Sequence, residues 1–227
     1  TALTELDVSD NNYRDGTGFV QELANGLKNN RTLVKLSMAG NKMATKEAGK
    51  ALALALASNS VLKELDVSDN AKGYLTMDKV HHSFAMEISI GIRINGALSK
   101  FMFGGERYRD QQRNVVTPEP ATLEVGMTEA DLSNKNLGTC GGIIVGTWIS
   151  HKDSSALIKF DISNNSLFAK GTKCVAEALK GNQMMTELNI SGNDMTFDGS
   201  SEFGDMSGVD AIMDTIPTMG ALVKLIF

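Results

Sequence analysis

The chain predicts an α/β repeat fold, with short parallel strands in a sheet and helices backing it. Three observations carry this expectation. A nine-residue phrase, "LTELDVSDN" at residues 3–11, returns almost unchanged as "LKELDVSDN" at 62–70. Further copies start at Leu33, Leu98, Met127, Leu157, Met185 and Leu222, spaced 28 to 37 residues apart. Between copies the apolar residues adopt helical spacing. One strand and one helix cannot bury both apolar faces alone, so such units must stack.

The elements follow in order. In the first phrase Leu6 and Val8 put two apolar side chains on one strand face. "GTGFVQELANGLKNN" (16–30) then aligns Val20, Leu23 and Leu27 on one helical face. After the phrase from Leu33, "TKEAGKALALALASNS" (45–60) does the same with Leu52 and Leu56. The phrase from Leu62 leads to a helix carrying His81 and His82, whose adjacent side chains diverge and are expected at the surface. The degraded phrase "LSKFMFGGE" from Leu98 runs into "GGERYRDQQRNVVTPEPAT" (104–122), a polar stretch broken by Gly and Pro. It stands where a helix is due and is expected to form a loop. A second degraded phrase, "MTEADLSNK" from Met127, precedes the helix started by "TCGGIIVG" (139–146) and ended near His151. Phrases from Leu157 and Met185, a helix with Val209, Ile212 and Ile216, and "LVKLIF" from Leu222 complete the chain.

The Asn that ends each full phrase is expected to turn inward and bond backbone groups that water cannot reach. Glu106 and Lys135 interrupt that series, with Asn134 or Asn136 as local substitutes. A longer period lies above the repeat: starts 3, 33, 62 and 98 map to 127, 157, 185 and 222, offsets of 124, 124, 123 and 124. The chain therefore reads as one solenoid domain over 1–227, a four-repeat block (1–124) duplicated with its second copy (125–227) cut short.

The Leu-x-x-Leu-x-Leu-x-x-Asn skeleton resembles the leucine-rich repeat. Units near 29 residues with helical second halves resemble its ribonuclease-inhibitor-like subclass. The resemblance implies a horseshoe with the parallel sheet on the concave face and helices on the convex face. It also implies a non-enzymatic protein–protein interaction scaffold with protein partners. The same subclass includes the GTPase-activating protein for Ran, so a GTPase-activating regulator is an alternative, although no functional residue transfers.

Composition narrows the classes. With 42% hydrophobic residues the chain can bury a substantial core. A net charge of −5 and the lack of a basic stretch argue against a nucleic-acid partner. No apolar run nears the ~20 residues of a membrane span; "ALALALA" (51–57) belongs to a core helix. Cys140 and Cys174 are expected as reduced core thiols, and Trp148, Phe160 and the methionines as core filling. Glycosylation-type triplets begin at Asn30, Asn164 and Asn189, the last inside a strand phrase, which makes them incidental. The location in the cell stays open, the cytoplasm being favoured. Because residue 1 is Thr and strand phrases stand at both ends, the ends are expected to be covered by flanking repeats or by end-to-end self-association.

Positions three, five and seven of each phrase should face away from the helices. Position three reads Glu5, Lys35, Glu64, Lys100, Glu129, Lys159, Glu187, Lys224, alternating in sign at every step. This is either a charged binding surface or a self-neutralised ladder holding the strands in register, and the ladder is favoured. Position five adds Asp7, Asp66, Asp131 and Asp161, and position seven is small, so the face lacks the Trp, Tyr and Arg of binding hot spots. The loop offers them: Arg107, Tyr108, Arg109 and Arg113 are the expected partner-binding residues, the alternative being a mere spacer. "DMTFDGSSEFGD" (194–205) spaces Asp194, Asp198, Glu202 and Asp205 as a calcium loop would, making a calcium-responsive module a further alternative. Ser201 and the terminal Asp205 depart from that pattern, and a solvated acidic loop is favoured. No nucleophile–base arrangement or phosphate-cradling glycine motif points to an enzyme, and no cofactor is expected apart from that calcium.

Overall fold

The computed structural model describes residues 2–11, 16–70, 80–105, 108–109, 112–116, 118–150, 156–198 and 204–227. It divides into two compact units, Thr1–Thr122 and Leu123–Phe227. In the first, strands and helices alternate as β1 (Glu5–Asp7), α1 (Thr17–Asn29), β2 (Lys35–Ser37), α2 (Lys46–Ser58), β3 (Glu64–Asp66), α3 (Val80–Ile94) and β4 (Lys100–Phe103). The alternation then stops. A two-stranded hairpin, β5 (Tyr108–Arg109) and β6 (Val115–Val116), precedes β7 (Ala121–Glu124) at the junction of the units. The second unit continues with β8 (Glu129–Asp131), α4 (Gly138–Ile149), β9 (Lys159–Asp161), α5 (Phe168–Leu179), β10 (Glu187–Asn189), α6 (Ser207–Thr215), a 3₁₀ turn (Ile216–Thr218) and β11 (Lys224–Ile226).

Two sheets result, one ordered β1-β2-β3-β4-β7 and the other β8-β9-β10-β11, with β1 to β4 and β8 to β11 pairing in parallel. Register is in step throughout: Glu5 opposes Lys35, Lys35 opposes Glu64, and Glu64 opposes Lys100. In the second sheet Glu129, Lys159, Glu187 and Lys224 line up in the same way. Register holds because the middle residue of each strand must enter the core. Leu36, Leu65, Phe101, Phe160 and Leu188 are all buried. Opposite them lie Val20, Ala24 and Leu27 of α1, Leu52 and Leu56 of α2, Ile88 of α3, and Val175 and Leu179 of α5.

Each strand must turn sharply behind its last residue. The residue before the phrase-ending Asn adopts a left-handed conformation in every described copy: Asp10, Gly40, Asp69, Gly105, Asn134, Asn164 and Gly192, with φ between 48° and 76°. Gly, Asn and Asp tolerate that region best, which accounts for the restricted choice at this position. Helices stack closely where side chains shrink. A Cβ on Gly91 would lie 2.6 Å from the Ala53 Cα, and one on Gly142 would lie 2.6 Å from the Gly171 Cα.

The methionines divide, against the expectation of core filling for all. Met38, Met43, Met185 and Met219 are buried, whereas Met86, Met184, Met206 and Met213 are exposed. Trp148 and Phe160 are core residues. Cys140 and Cys174 form no disulfide with each other and are half-buried rather than fully enclosed. Burial, followed by the nearby Glu177 carboxylate, raises the Cys174 pKa, which disfavours its thiolate. No described helix is long and apolar enough to cross a membrane.

Candidate functional site

The outward face of each sheet is built from three rows. In the first, Lys35 Nζ lies 3.5 Å from Glu5 Oε1 and 3.5 Å from Glu64 Oε1. Lys159 Nζ bridges Glu129 and Glu187 in the same manner, at 3.5 and 3.7 Å. Lys224 Nζ reaches the other Glu187 oxygen at 3.4 Å. The alternation is thus realised as two runs, Glu5 to Lys100 and Glu129 to Lys224. The expected step from Lys100 to Glu129 is broken: β7 occupies the place beside β4, and β8 begins a new sheet. The break coincides with the one place where the described residues carry no helix between successive phrases, since every other step of the ladder has a helix between its two strands.

The second and third rows bond to each other. Asp66 Oδ1 accepts from the Ser68 N–H at 2.9 Å and the Ser68 hydroxyl at 2.7 Å. Asp161 and Ser163 repeat this at 2.9 and 2.6 Å, and Asn189 and Ser191 at 3.3 and 2.8 Å. The Ser9 N–H donates to Asp7 and the Ser133 N–H to Asp131. The serine hydroxyl, then its N–H, holds the carboxyls of Asp7 and Asp131 below the usual carboxylate range. Asn189 Nδ2 donates to the second oxygen of Asp161 at 2.8 Å. The face carries charge, but its carboxylates already serve lysine, serine and asparagine neighbours.

Behind the strands, the inward asparagines form the expected series. Asn70 Nδ2 donates to the carbonyls of Met38, Val67 and Ser68, and its Oδ1 accepts from the Asn41 N–H at 2.7 Å. Asn41 passes the pattern to Asn11. In the second unit Asn193 supports Asn165, whose Oδ1 accepts from the Lys135 N–H at 2.9 Å. Lys135 therefore joins through its backbone where the Asn is missing.

A second asparagine series lies outside the phrase skeleton. Asn30, Asn59, Asn95 and Asn182 each stand three residues before a phrase start and accept two backbone N–H groups there. Asn59 Nδ2 also donates to the carbonyls of Leu27 and Asn30, and Asn95 Nδ2 to those of Leu56 and Asn59. The signal was present as a recurring Asn at fixed offset.

The stretch 104–122 carries, in its described residues, a two-stranded antiparallel pair. Tyr108 pairs with Val116 and Arg109 with Val115, antiparallel. Arg113 is exposed at a φ of 66°, Val115 is also exposed, and Arg107 lies outside the described residues. Among the proposed calcium ligands, Asp194 sits in a left-handed turn at φ 49°. Asp205 Oδ1 accepts from the N–H of Ser207, the first residue of α6, at 2.9 Å. Asp198 is described, and Glu202 lies outside the described residues. His82 is half-buried, and His151 also falls outside.

Residues 181–203 match a family model described as Leucine Rich repeat. No curated protein matches the chain. Among solved structures, the chain is similar to the tropomodulin C-terminal domain of Caenorhabditis elegans. Identity is 12%, coverage 88% of this chain and 92% of that one, and the TM-score 0.38. The family match, lying on a segment that carries both asparagine series, supports reading the chain as a leucine-rich-repeat protein.

Proposed function

We propose that the chain is a non-enzymatic protein-binding module of ribonuclease-inhibitor-like leucine-rich repeats, and that its partner docks on the β5–β6 hairpin. The observation that carries this reading is the hairpin's place in the repeat. Strands β1, β2 and β3 are each followed by a helix, whereas β4 is followed by an antiparallel pair among the described residues, with Arg113 and Val115 exposed. Insertions on a rigid repeat frame are where recognition residues concentrate. The carboxylates of the sheet face are committed to register and turns, which favours a frame over a reactive surface.

A photo-crosslinking residue at position 109 or 113 should capture a partner, and the same residue at exposed Gln21 of α1 should not. The affinity of that partner should then fall at least tenfold in Tyr108→Ala/Arg109→Ala, with the melting temperature unchanged. Equal affinity in wild type and variant would remove the hairpin from the binding surface.

A further inference from the structure

The duplication supplies an internal comparison that singles out one patch of helix surface. Gly96-Ala97-Leu98 after α3 corresponds to Gly220-Ala221-Leu222 after α6, an offset of 124. Asn59 and Leu62 after α2 correspond to Asn182 and Met185 after α5, an offset of 123. The buried positions agree in this alignment: Ile88 matches Ile212, and Leu56 matches Leu179, all enclosed.

The exposed positions do not agree. Leu54 of α2 and Met86, Ile90 and Ile94 of α3 are 52%, 52%, 45% and 60% exposed. Their equivalents are Glu177, Asp210, Asp214 and Thr218, of which the three acids are exposed. The fold therefore accepts charge at three of these places and a hydroxyl at the fourth, and packing does not require the apolar residues of the first block. Met86, Ile90 and Ile94 recur every four residues and form one stripe along α3. Leu54 is presented by the adjacent helix, which the Ala53–Gly91 approach holds close. Single exposed apolar residues need no explanation, but a contiguous patch marks an interaction site.

Size decides the occupant. At these exposures the four side chains offer roughly 400 Å² of apolar surface, about half the ~800 Å² per partner of a standard stable interface. That is too little for a second folded copy and is matched to a single helix laid along the stripe. We infer that Leu54, Met86, Ile90 and Ile94 form a docking strip for an amphipathic helix of a protein partner, one with apolar residues at i, i+4 and i+7. The charges beside the strip, Glu47 and Lys50 on α2 and Glu87 and Arg93 on α3, are of both signs. The bound helix is accordingly selected by its apolar spacing rather than its net charge. The inference rests on the reading of the chain as a protein-binding module but uses a different surface from the hairpin.

The test is a phage-displayed library of 18-residue helix-forming peptides, panned against the whole chain. Enriched peptides should carry Leu, Ile, Met or Phe at i, i+4 and i+7. The best of them, synthesised with a fluorescent label, should lose at least tenfold affinity for Leu54→Glu/Met86→Asp/Ile90→Asp/Ile94→Thr. That variant transplants the residues of the second block, and its circular dichroism and unfolding midpoint should match the wild type. Should it fail to fold, Ile90→Asp alone should still weaken binding at least threefold. Tyr108→Ala/Arg109→Ala should bind the peptide as the wild type does, so a failed hairpin leaves this result standing. Peptides without the apolar spacing, or equal affinity for the folded variant, would overturn the inference. So would wild-type dimerisation in sedimentation, or binding to phosphatidylcholine–phosphatidylglycerol vesicles, if the substitutions abolished either one; the occupant would then be a second copy or a lipid surface.

Discussion

At the residue scale, the asparagines do the work that loops at a solvent surface leave to water. Asn70 is buried and satisfies three carbonyls and one N–H of neighbouring turns. Truncating it leaves the Val67 carbonyl and the Asn41 N–H without that partner, whereas the Met38 carbonyl keeps Asn41 Nδ2 and the Ser68 carbonyl keeps the Gly40 N–H. The cost is about 1–3 kcal/mol for each group left unsatisfied. Asn70→Ala should therefore lose about 3 kcal/mol in urea unfolding, whereas Asn182→Ala, whose bonds lie nearer the surface, should lose under ~1.5 kcal/mol. Equal losses would contradict the ladder argument. The serine-bound aspartates make a pH prediction. Asp7 and Asp131 are more acidic in the folded chain, so each stabilises it above the ordinary carboxylate range. That contribution is lost as the pH falls through the lowered folded value. Stability measured between pH ~5 and ~2 should decline less steeply in Asp7→Asn/Asp131→Asn than in wild type.

At the element scale, three-residue strands are too short to hold register by backbone bonding alone, and the buried middle residue and the flanking charges share the task. Lys35 lies between two glutamates, all at least a third exposed, so each pair contributes only about 0.2–1 kcal/mol. Lys35→Glu should lower stability modestly, and adding Glu5→Lys and Glu64→Lys should restore part of the loss. A double-mutant cycle should find the coupling at low salt and see it shrink as salt screens it. Zero coupling at low salt would leave the alternation without a structural role.

At the scale of the whole molecule, strands β1 to β4 pair in series with α1 to α3 stacked in series, and strands β8 to β11 pair in series with α4 to α6 stacked in series. Contacts in a repeat array run between neighbours, so a defect should stay local. Leu36→Ala removes a buried side chain from the first sheet and should cost about 2–5 kcal/mol there. Hydrogen exchange followed by mass spectrometry should show protection falling in α1, α2, β2 and β3, with β9, β10 and α5 unchanged. A uniform loss across both units would show one cooperative block instead.

The sequence by itself determined the repeating strand and helix, the inward asparagine and the in-step register of each block. All three depend on local periodicity and on side chains whose partners lie one repeat away. It also announced that residues 104–122 break the pattern, through Gly, Pro and the missing helical spacing. It did not reveal the hairpin, because strands of two residues have no periodicity and exist only by pairing with each other. Nor did it reveal that β7 takes the place beside β4, which cuts the charge alternation into two runs. The strip on α3 was hidden for a related reason: the helix is apolar on two sides, and a 3.6-residue period shows that faces exist without saying which of them faces the sheet. Only the tertiary structure, by turning Ile88 inward and Ile90 outward, made that choice.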